Sequence, residues 1–445
     1  MRLVLSDVRM RAAMWLWTLG CASVGAACAA GTIIAMVTAV DAAQRAVDED
    51  MVSAYISLGG NIAFFTALAA AGVVSSTVGL TLTTQRHEHA LWVILGIPRR
   101  RVVRVLRVEL LVLGAVAGLV AVPLAPVVAT LTLGQWAGIG LLPQQPPVSV
   151  QGWHIAAALC AGAAPCLVGG WGATRRAART PEMQAFRDAA ETTTRPGITR
   201  MLFALSLLAG VVGTWIPGMA LEIEGGTEQR AVFAFAGSLF LICLLLMLGP
   251  WVFTPLLRTW TVLVPAKDVA WHLAAKACRA RAARSVTTIL PFALSLSLVG
   301  LFMVMGAVMP GATVALADVL VVLGWVFVVS WTGGLAVIAL VGADRRRDAA
   351  IVELAGARPG VIARSTVYEG LIYAGTALVF GALTLVLSVV SISAGARVSA
   401  VEVFARLPWD ILGWLAALTV ALPCLALIVQ AALAAHVVPA RVLRG

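Results

Sequence analysis

Two charged segments at a fixed offset contain the residues best suited to specific chemistry in this chain. They are residues 85–96 and residues 345–356, which lie 260 positions later. In each segment an acidic residue, Glu88 or Asp348, precedes a glycine by eight positions. Apolar residues at helical spacing fill the interval, which favours docking of another protein over bond-breaking chemistry.

Residue patterns for catalysis, metal binding or nucleotide binding are not found in the sequence. Neither lysine, Lys267 or Lys276, follows a glycine, so the chain has no phosphate-binding loop of the usual type. His87 and His89 flank Glu88 without the spacing of a zinc hydrolase. The cysteines lack metal-ligand spacing and fit small packing residues. We therefore predict no catalytic residue, no metal ligand and no cofactor held by this chain.

Three acidic residues near apolar runs remain as candidates. Glu109 and Glu369 are expected to begin spans at the cytoplasmic interface, where a negative charge suits the helix dipole. Asp318 either lies within a span, where ionisable residues are functional candidates, or lies at the outer interface. No substrate-binding residue is assigned from the sequence.

The composition requires a membrane environment. Of the 445 residues, 61% are apolar and 12% are charged, against about 45–50% and 25% in soluble domains. These values exclude a soluble enzyme, a disordered chain and a disulfide-stapled secreted module. Apolar runs long enough to span a bilayer predict an all-α membrane protein with about ten transmembrane helices. The runs lie near residues 14–40, 56–82, 110–133, 153–173, 201–221, 231–256, 285–309, 315–342, 370–393 and 410–433.

The positive charges determine the predicted orientation. With the N-terminus inside, 28 of the 32 basic residues fall in inside segments and 4 fall outside. The inside segments are the two termini and basic loops near residues 83–109, 174–200, 257–284 and 343–369, the third of which contains Cys278. Because cytoplasmic loops carry the excess of arginine and lysine, both termini are predicted to be cytoplasmic. The basic residues alternate with apolar runs instead of clustering on a soluble domain, so no nucleic-acid partner is expected.

The offset of 260 extends beyond the two charged segments. Arg104 aligns with Arg364, and Glu109 with Glu369. Each segment joins the second and third spans of a four-span unit, so the copies share one orientation. We predict a first four-helix repeat over residues 1–198, two linking helices over 199–266 and a second repeat over 267–445.

Each charged segment continues as a short amphipathic helix with a glycine at its end. Leu91 and Leu95 define the apolar stripe in the first copy, and Ile351 and Leu354 define it in the second. Gly96 and Gly356 stand where a helix C-cap requires a positive φ. For the arginines that follow Gly96, an interfacial helix on acidic headgroups is the alternative.

This order of residues resembles the FtsX-like permease domain of MacB-type, or type VII, ABC transporters. The resemblance covers nearly the whole chain, as two copies near residues 10–187 and 270–445. The sequence departs from the family pattern at Asp348, where glutamate is usual, and has no large extracellular domain between two spans.

The resemblance implies a permease subunit in a bacterial plasma membrane. This subunit would move or extract, by export, a hydrophobic or amphipathic substrate such as an antimicrobial peptide, a drug or a lipid-like molecule. It implies a homodimer of ABC ATPase subunits on the cytoplasmic face, which binds ATP and Mg²⁺, and contact with membrane lipids. By the same resemblance the ATPase-coupling residues are Arg86, Glu88, Leu91, Leu95, Gly96, Arg346, Asp348, Ile351, Leu354 and Gly356.

Other functional classes need features that this sequence supplies weakly. An ion-coupled secondary transporter would need intramembrane carboxylates or broken helices at matching positions. An intramembrane enzyme would need paired aspartates or a metal frame. A machine that relays a signal instead of moving cargo would share the pattern of a permease.

Overall fold

The computed structural model describes residues 12–46, 48–84, 91–92, 94–95, 97–148, 151–179, 198–220, 226–264, 268–309 and 316–434. Within these ranges the chain is helical and contains no strand. Ten of the helices are long and apolar enough to cross a membrane, which confirms the predicted number of spans and the all-α class. Helices dominate because each satisfies its own backbone hydrogen bonds without water.

The described helices pack as two compact units, the first of which comprises Met1–Thr192 together with Leu320–Leu340. Its four complete helices pack against one another as a bundle. They are α1 (Ala12–Arg45), α2 (Glu49–Thr84), α3 (Arg99–Gly138) and α4 (Gly152–Arg179).

Small residues allow α3 and α4 to approach closely. A Cβ added at Gly114 would lie 2.7 Å from the Ala163 Cα, and one added at Gly118 would lie 2.7 Å from the Leu159 Cα. Helices in membranes associate through this kind of close backbone packing, because burial of apolar surface gives no advantage over lipid.

The second unit comprises Thr193–Val319 and Val341–Gly445. Its first five helices are α5 (Ile198–Ala220), α6 (Gly226–Leu248), α7 (Pro250–Leu263), α8 (Val269–Ala280) and α9 (Ala282–Val308). They are followed by α10 (Leu316–Leu354), α11 (Pro359–Ala396), α12 (Ala400–Ala405) and α13 (Trp409–Ala434). Helix α11 is central, since it packs against α6, α8, α9 and α13.

Buried hydroxyl groups join α11 to its neighbours. The Ser238 and Ser391 hydroxyls lie 2.5 Å apart, and the Thr384 hydroxyl donates to Ser297 Oγ at 3.0 Å. The Trp260 indole N–H donates to Thr376 Oγ1 at 2.9 Å. These bonds satisfy polar groups that would otherwise be costly in an apolar interior.

Helix α10 contributes to both units, because its residues Leu320–Leu340 group with the first and its ends group with the second. Its middle is fixed in the first unit by the Trp325 indole N–H, which donates to Thr132 Oγ1 at 2.9 Å. The predicted repeat boundaries at residues 198 and 266 follow the sequence pattern and remain a prediction.

One inside segment differs from the sequence prediction. Residues 257–284 were expected to form a basic loop, but much of this segment lies in α7 and α8. The Asp268 carboxylate caps α8 by accepting a hydrogen bond of 3.0 Å from the Ala270 backbone N–H. Cys278, expected in the loop, is buried in α8, where burial raises the pKa of its thiol to about 12. Its thiol therefore stays protonated and packs as a small apolar group.

Candidate functional site

The first candidate segment is a helical turn that leads into α3. We call it the first elbow and define it by the described residues of 91–102. The Leu95 backbone N–H donates to the Leu91 carbonyl at 2.9 Å, and the Ile97 N–H donates to the Trp92 carbonyl at 3.0 Å. Pro98 then adopts an extended conformation, with φ −63° and ψ 135°, immediately before α3. A proline suits this position because it cannot continue the preceding helix.

The second elbow (residues 351–362) joins α10 to α11. The Ala355 N–H donates to the Ile351 carbonyl at 3.0 Å, and the Ala357 N–H donates to the Val352 carbonyl at 3.2 Å. Gly356 has a φ of +93°, which L side chains rarely adopt. These bonds and this φ define a Schellman cap, so the predicted role of Gly356 as a helix C-cap is observed in the backbone.

The two elbows have the same backbone turn. The bonds of Leu95 and Ile97 recur at Ala355 and Ala357, each 260 positions later. Arg358, which corresponds to Pro98, is likewise extended, with φ −68° and ψ 141°. The match in geometry therefore accompanies the match in residue classes.

Both elbows expose their apolar stripes. Leu95 is 78% exposed and Leu354 is 70% exposed, and Leu91, Ile94 and Ile351 are exposed as well. Trp92 and Ile97, on the other side of the first elbow, pack against a buried core cluster of the first unit. Each elbow therefore presents exposed apolar side chains, as a docking surface requires.

The remaining predicted coupling residues are only partly described. Arg86, Glu88 and Gly96 lie outside the described residues, as does the side chain of Arg346. Asp348 lies in α10 and accepts two hydrogen bonds from the Arg281 guanidinium, one of 2.7 Å to Oδ1 and a short one to Oδ2. The charge of Asp348 is thus engaged inside the second unit.

A charge network that sequence reasoning did not find lies just before the second elbow. The Arg345 Nε is 3.5 Å from Glu369 Oε2, and Arg345 Nη2 donates to the Tyr373 hydroxyl at 3.0 Å. The two charged side chains are only 16% and 20% exposed. The sequence prediction named Arg346, and the described contact is made by its neighbour Arg345. The spacing of Glu369 and Tyr373, four apart on one helix face, was the available signal.

A second ion pair connects α8 to α11. Asp268 Oδ2 lies 3.3 Å from the Arg364 guanidinium and accepts a hydrogen bond of 3.2 Å from the Tyr368 hydroxyl. The pKa of the Asp268 carboxyl is held below its usual value, chiefly by the bond from the Ala270 N–H and also by Tyr368 and Arg364. The carboxylate is therefore ionised at neutral pH.

The two glutamates expected to begin spans lie deeper in their helices. Glu109 and Glu369 each lie ten residues after the first residue of α3 and α11. Glu109 is buried in the first unit. Their interpretation as helix starts is wrong, because both helices begin before the apolar run, and their place at the cytoplasmic interface stays a prediction.

No three His, Cys, Asp or Glu side chains converge as metal ligands among the described residues. The predicted candidate Asp318 lies exposed in the first turn of α10. A carboxylate there suits the positive end of the helix dipole.

Comparison with known proteins gives one family. A search of curated proteins found no match. Residues 60–181, which contain the first elbow together with α3, match the family model of the FtsX-like permease C-terminal domain.

Proposed function

We propose that this chain is the permease subunit of an ABC transporter of the MacB-type, or type VII, branch. The observation that carries the proposal is the pair of elbows, which share one capped turn and expose their apolar side chains. The ten spans and the family match over residues 60–181 support a permease. Two equivalent elbows fit a partner with two equivalent subunits, which is a homodimer of ABC ATPases.

Each ATPase subunit would receive one elbow as a short amphipathic helix in an apolar groove. Leu95 and Leu354 are the most exposed apolar side chains of the described elbow residues, and we assign them as the anchors. The partner, and not this chain, would bind ATP and Mg²⁺. In this proposal both elbows and both termini are cytoplasmic, in the plasma membrane of a bacterium.

Each elbow is continuous with a long helix, which would carry a displacement across the membrane. The first elbow leads into α3, which has 40 residues, and the second leads into α11, which has 38. A helix rises about 1.5 Å per residue, so each extends about 60 Å. A displacement at an elbow would therefore reach the far side of the membrane through one continuous helix, which in α3 includes Pro123 and Pro126.

The cargo we propose is hydrophobic or amphipathic, such as an antimicrobial peptide, a drug or a lipid-like molecule, and the direction is export. The described spans carry few charges, so a route along them suits an apolar molecule that enters from the bilayer. The alternative, an ion-coupled secondary transporter, is favoured only by the buried Glu109 in α3.

Co-purification with the ATPase tests the proposal. We expect Leu95→Asp and Leu354→Asp each to weaken capture of a co-expressed ATPase by about tenfold or more, because a carboxylate in an apolar groove loses its hydration. The double variant should abolish capture. Val401→Asp is the matched control, since Val401 is 78% exposed in α12 at the predicted outer end.

Unchanged capture by the double variant, in protein that elutes as a single species, would refute docking at the elbows. ATP-independent uptake driven by an ion gradient and lost in Glu109→Gln would support the alternative transporter.

A further inference from the structure

We propose that the N-terminal end of α6 binds the phosphate headgroup of an anionic phospholipid, with Arg230 as its anchor. The site belongs to the second unit and is independent of the elbows. By the orientation predicted from the sequence, it lies at the outer face of the membrane.

Arg230 is a buried cation with no described counterion. It is 7% exposed, and its Nε has no hydrogen-bond partner. Among the described residues no carboxylate forms an ion pair with its guanidinium. A buried charge without a partner is strongly unfavourable, so the position calls for an anion that the chain itself does not supply.

Close packing holds the turn that carries Arg230. A Cβ added at Gly395 of α11 would lie 3.0 Å from the Arg230 carbonyl oxygen, and one added at Gly218 of α5 would lie 3.3 Å from it. Both separations are tighter than ordinary contacts, so the two glycines let three helices meet at this turn. The backbone of Arg230 is therefore held in place, as an anchoring residue must be.

The end of α6 adds its own attraction for an anion. Arg230 is the fifth residue of the helix, and side chains in a helix lean toward its N-terminus. The Cα–Cβ bond of Arg230 therefore leans toward the end where the first four backbone N–H groups lack intrahelical acceptors. The positive end of the helix dipole lies there as well.

A phospholipid is the anion that fits the surroundings best. The guanidinium matches phosphate through two parallel hydrogen bonds. Next to Gly218, α5 exposes the apolar side chains of Val212, Ile216 and Met219, along which an acyl chain can lie. An anionic headgroup joined to an apolar tail satisfies both features at once.

Glutamates from the chain are the competing partners. Glu222, Glu224 and the side chain of Glu228 lie outside the described residues, and all three are near Arg230 in the sequence. If one of them neutralises Arg230, the site is closed to lipid, and the experiment must separate this case.

The test titrates the purified full chain in detergent with phosphatidylglycerol and with phosphatidylcholine, and counts bound lipids by native mass spectrometry. We expect a preference for phosphatidylglycerol that Arg230→Gln reduces by about tenfold or more, the effect of losing a charged hydrogen-bonding partner. Arg230→Lys should lose part of that preference, since an ammonium lacks the planar fork. Arg406→Gln is the control, because Arg406 is exposed and pairs with Glu402.

Four outcomes would count against the proposal. One is equal binding of the two lipids by the wild type, a measurement that needs no variant to fold. Another is unchanged affinity in Arg230→Lys or Arg230→Gln. The third is a preference that appears only when Glu222, Glu224 and Glu228 are all changed to glutamine, which would assign Arg230 to an internal ion pair. Displacement by inorganic phosphate as effective as that by the lipid would also count against a lipid site.

Discussion

The two elbows share a backbone turn but differ in the side chains that can hold them. Behind the second elbow, Arg345 contacts both Glu369 and Tyr373. At the corresponding positions of the first copy, the sequence has Gln85 in place of Arg345 and Leu113 in place of Tyr373. The first elbow therefore cannot form the same arginine–glutamate–tyrosine contact.

This difference shows that the backbone turn and its attachment, meaning the side-chain contacts that hold the elbow to the rest of its unit, depend on different residues. The turn needs a few neighbouring backbone bonds and a capping residue, and both copies provide them. The attachment needs side chains from different helices, and only the second copy has the charged set. For the first elbow, the packing of Trp92 and Ile97 on the core supplies an apolar attachment instead.

The largest effect on stability is expected when the contact between Arg345 and Glu369 is removed. Arg345→Ala removes a cation that contacts the buried Glu369, which interacts more weakly with Arg284 and Arg281, so we expect the free energy of unfolding to fall by about 3 kcal/mol. Thermal or denaturant unfolding of the purified chain measures this change. The double variant Arg345→Ala/Glu369→Gln should recover part of the loss, since no buried carboxylate then remains at position 369.

The corresponding variant in the first copy tests whether the two elbows differ in this contact. Gln85→Ala removes a neutral side chain, and we expect a change within about 0.5 kcal/mol. Equal losses for Gln85→Ala and Arg345→Ala would show that the two attachments do not differ as the sequences indicate.

A smaller effect is expected from the turn itself. Gly356→Ala forces a side chain into the left-handed region at φ +93°, which costs about 1–2 kcal/mol. No atom outside the turn lies within 4 Å of the added Cβ, so the decrease in the free energy of unfolding reports backbone strain alone. Gly360→Ala is the matched control, because that position is equally open and lies in the first turn of α11, where alanine is favoured.

If the two turns are alike, Gly96→Ala should destabilise the chain as much as Gly356→Ala. A neutral result at Gly96 would break the equivalence of the elbows.

The smallest effect concerns the basic helices that follow the elbows. Arg364 pairs with Asp268, whereas Arg104, at the corresponding position, is exposed and has no ion pair among the described residues. Because the folded-state pKa of Asp268 is lowered, its contribution to stability is present at neutral pH and is lost as the pH falls below about 4.

Arg364→Gln should therefore reduce the acid sensitivity of unfolding, and Arg104→Gln should leave it unchanged. Unfolding midpoints measured between pH 7 and pH 3 test the pair. An equal change in the pH dependence of the unfolding midpoint in both variants would contradict the pairing of Arg364 with Asp268.

Much of the fold could be predicted from local sequence, but part of the candidate site could not. Apolar runs predicted ten spans because a helix in a membrane must satisfy its backbone within one segment. The glycine and the apolar spacing predicted the helix end at Gly356, in the second elbow, for the same local reason. Residues 257–284 were misread because amphipathic α8, with its buried face, has the mixed composition of a loop.

Sequence alone determined the span number, the distribution of positive charge and the position of the capped turns. Each of these depends on residues close together in the chain. Tertiary structure decided that Arg345 meets Glu369, that residues 320–340 of α10 belong with the first unit, and that Arg230 is buried without a described partner. Those outcomes depend on how helices far apart in sequence rotate and approach one another, and hydrophobic periodicity does not encode that geometry when nearly every face of a span is apolar.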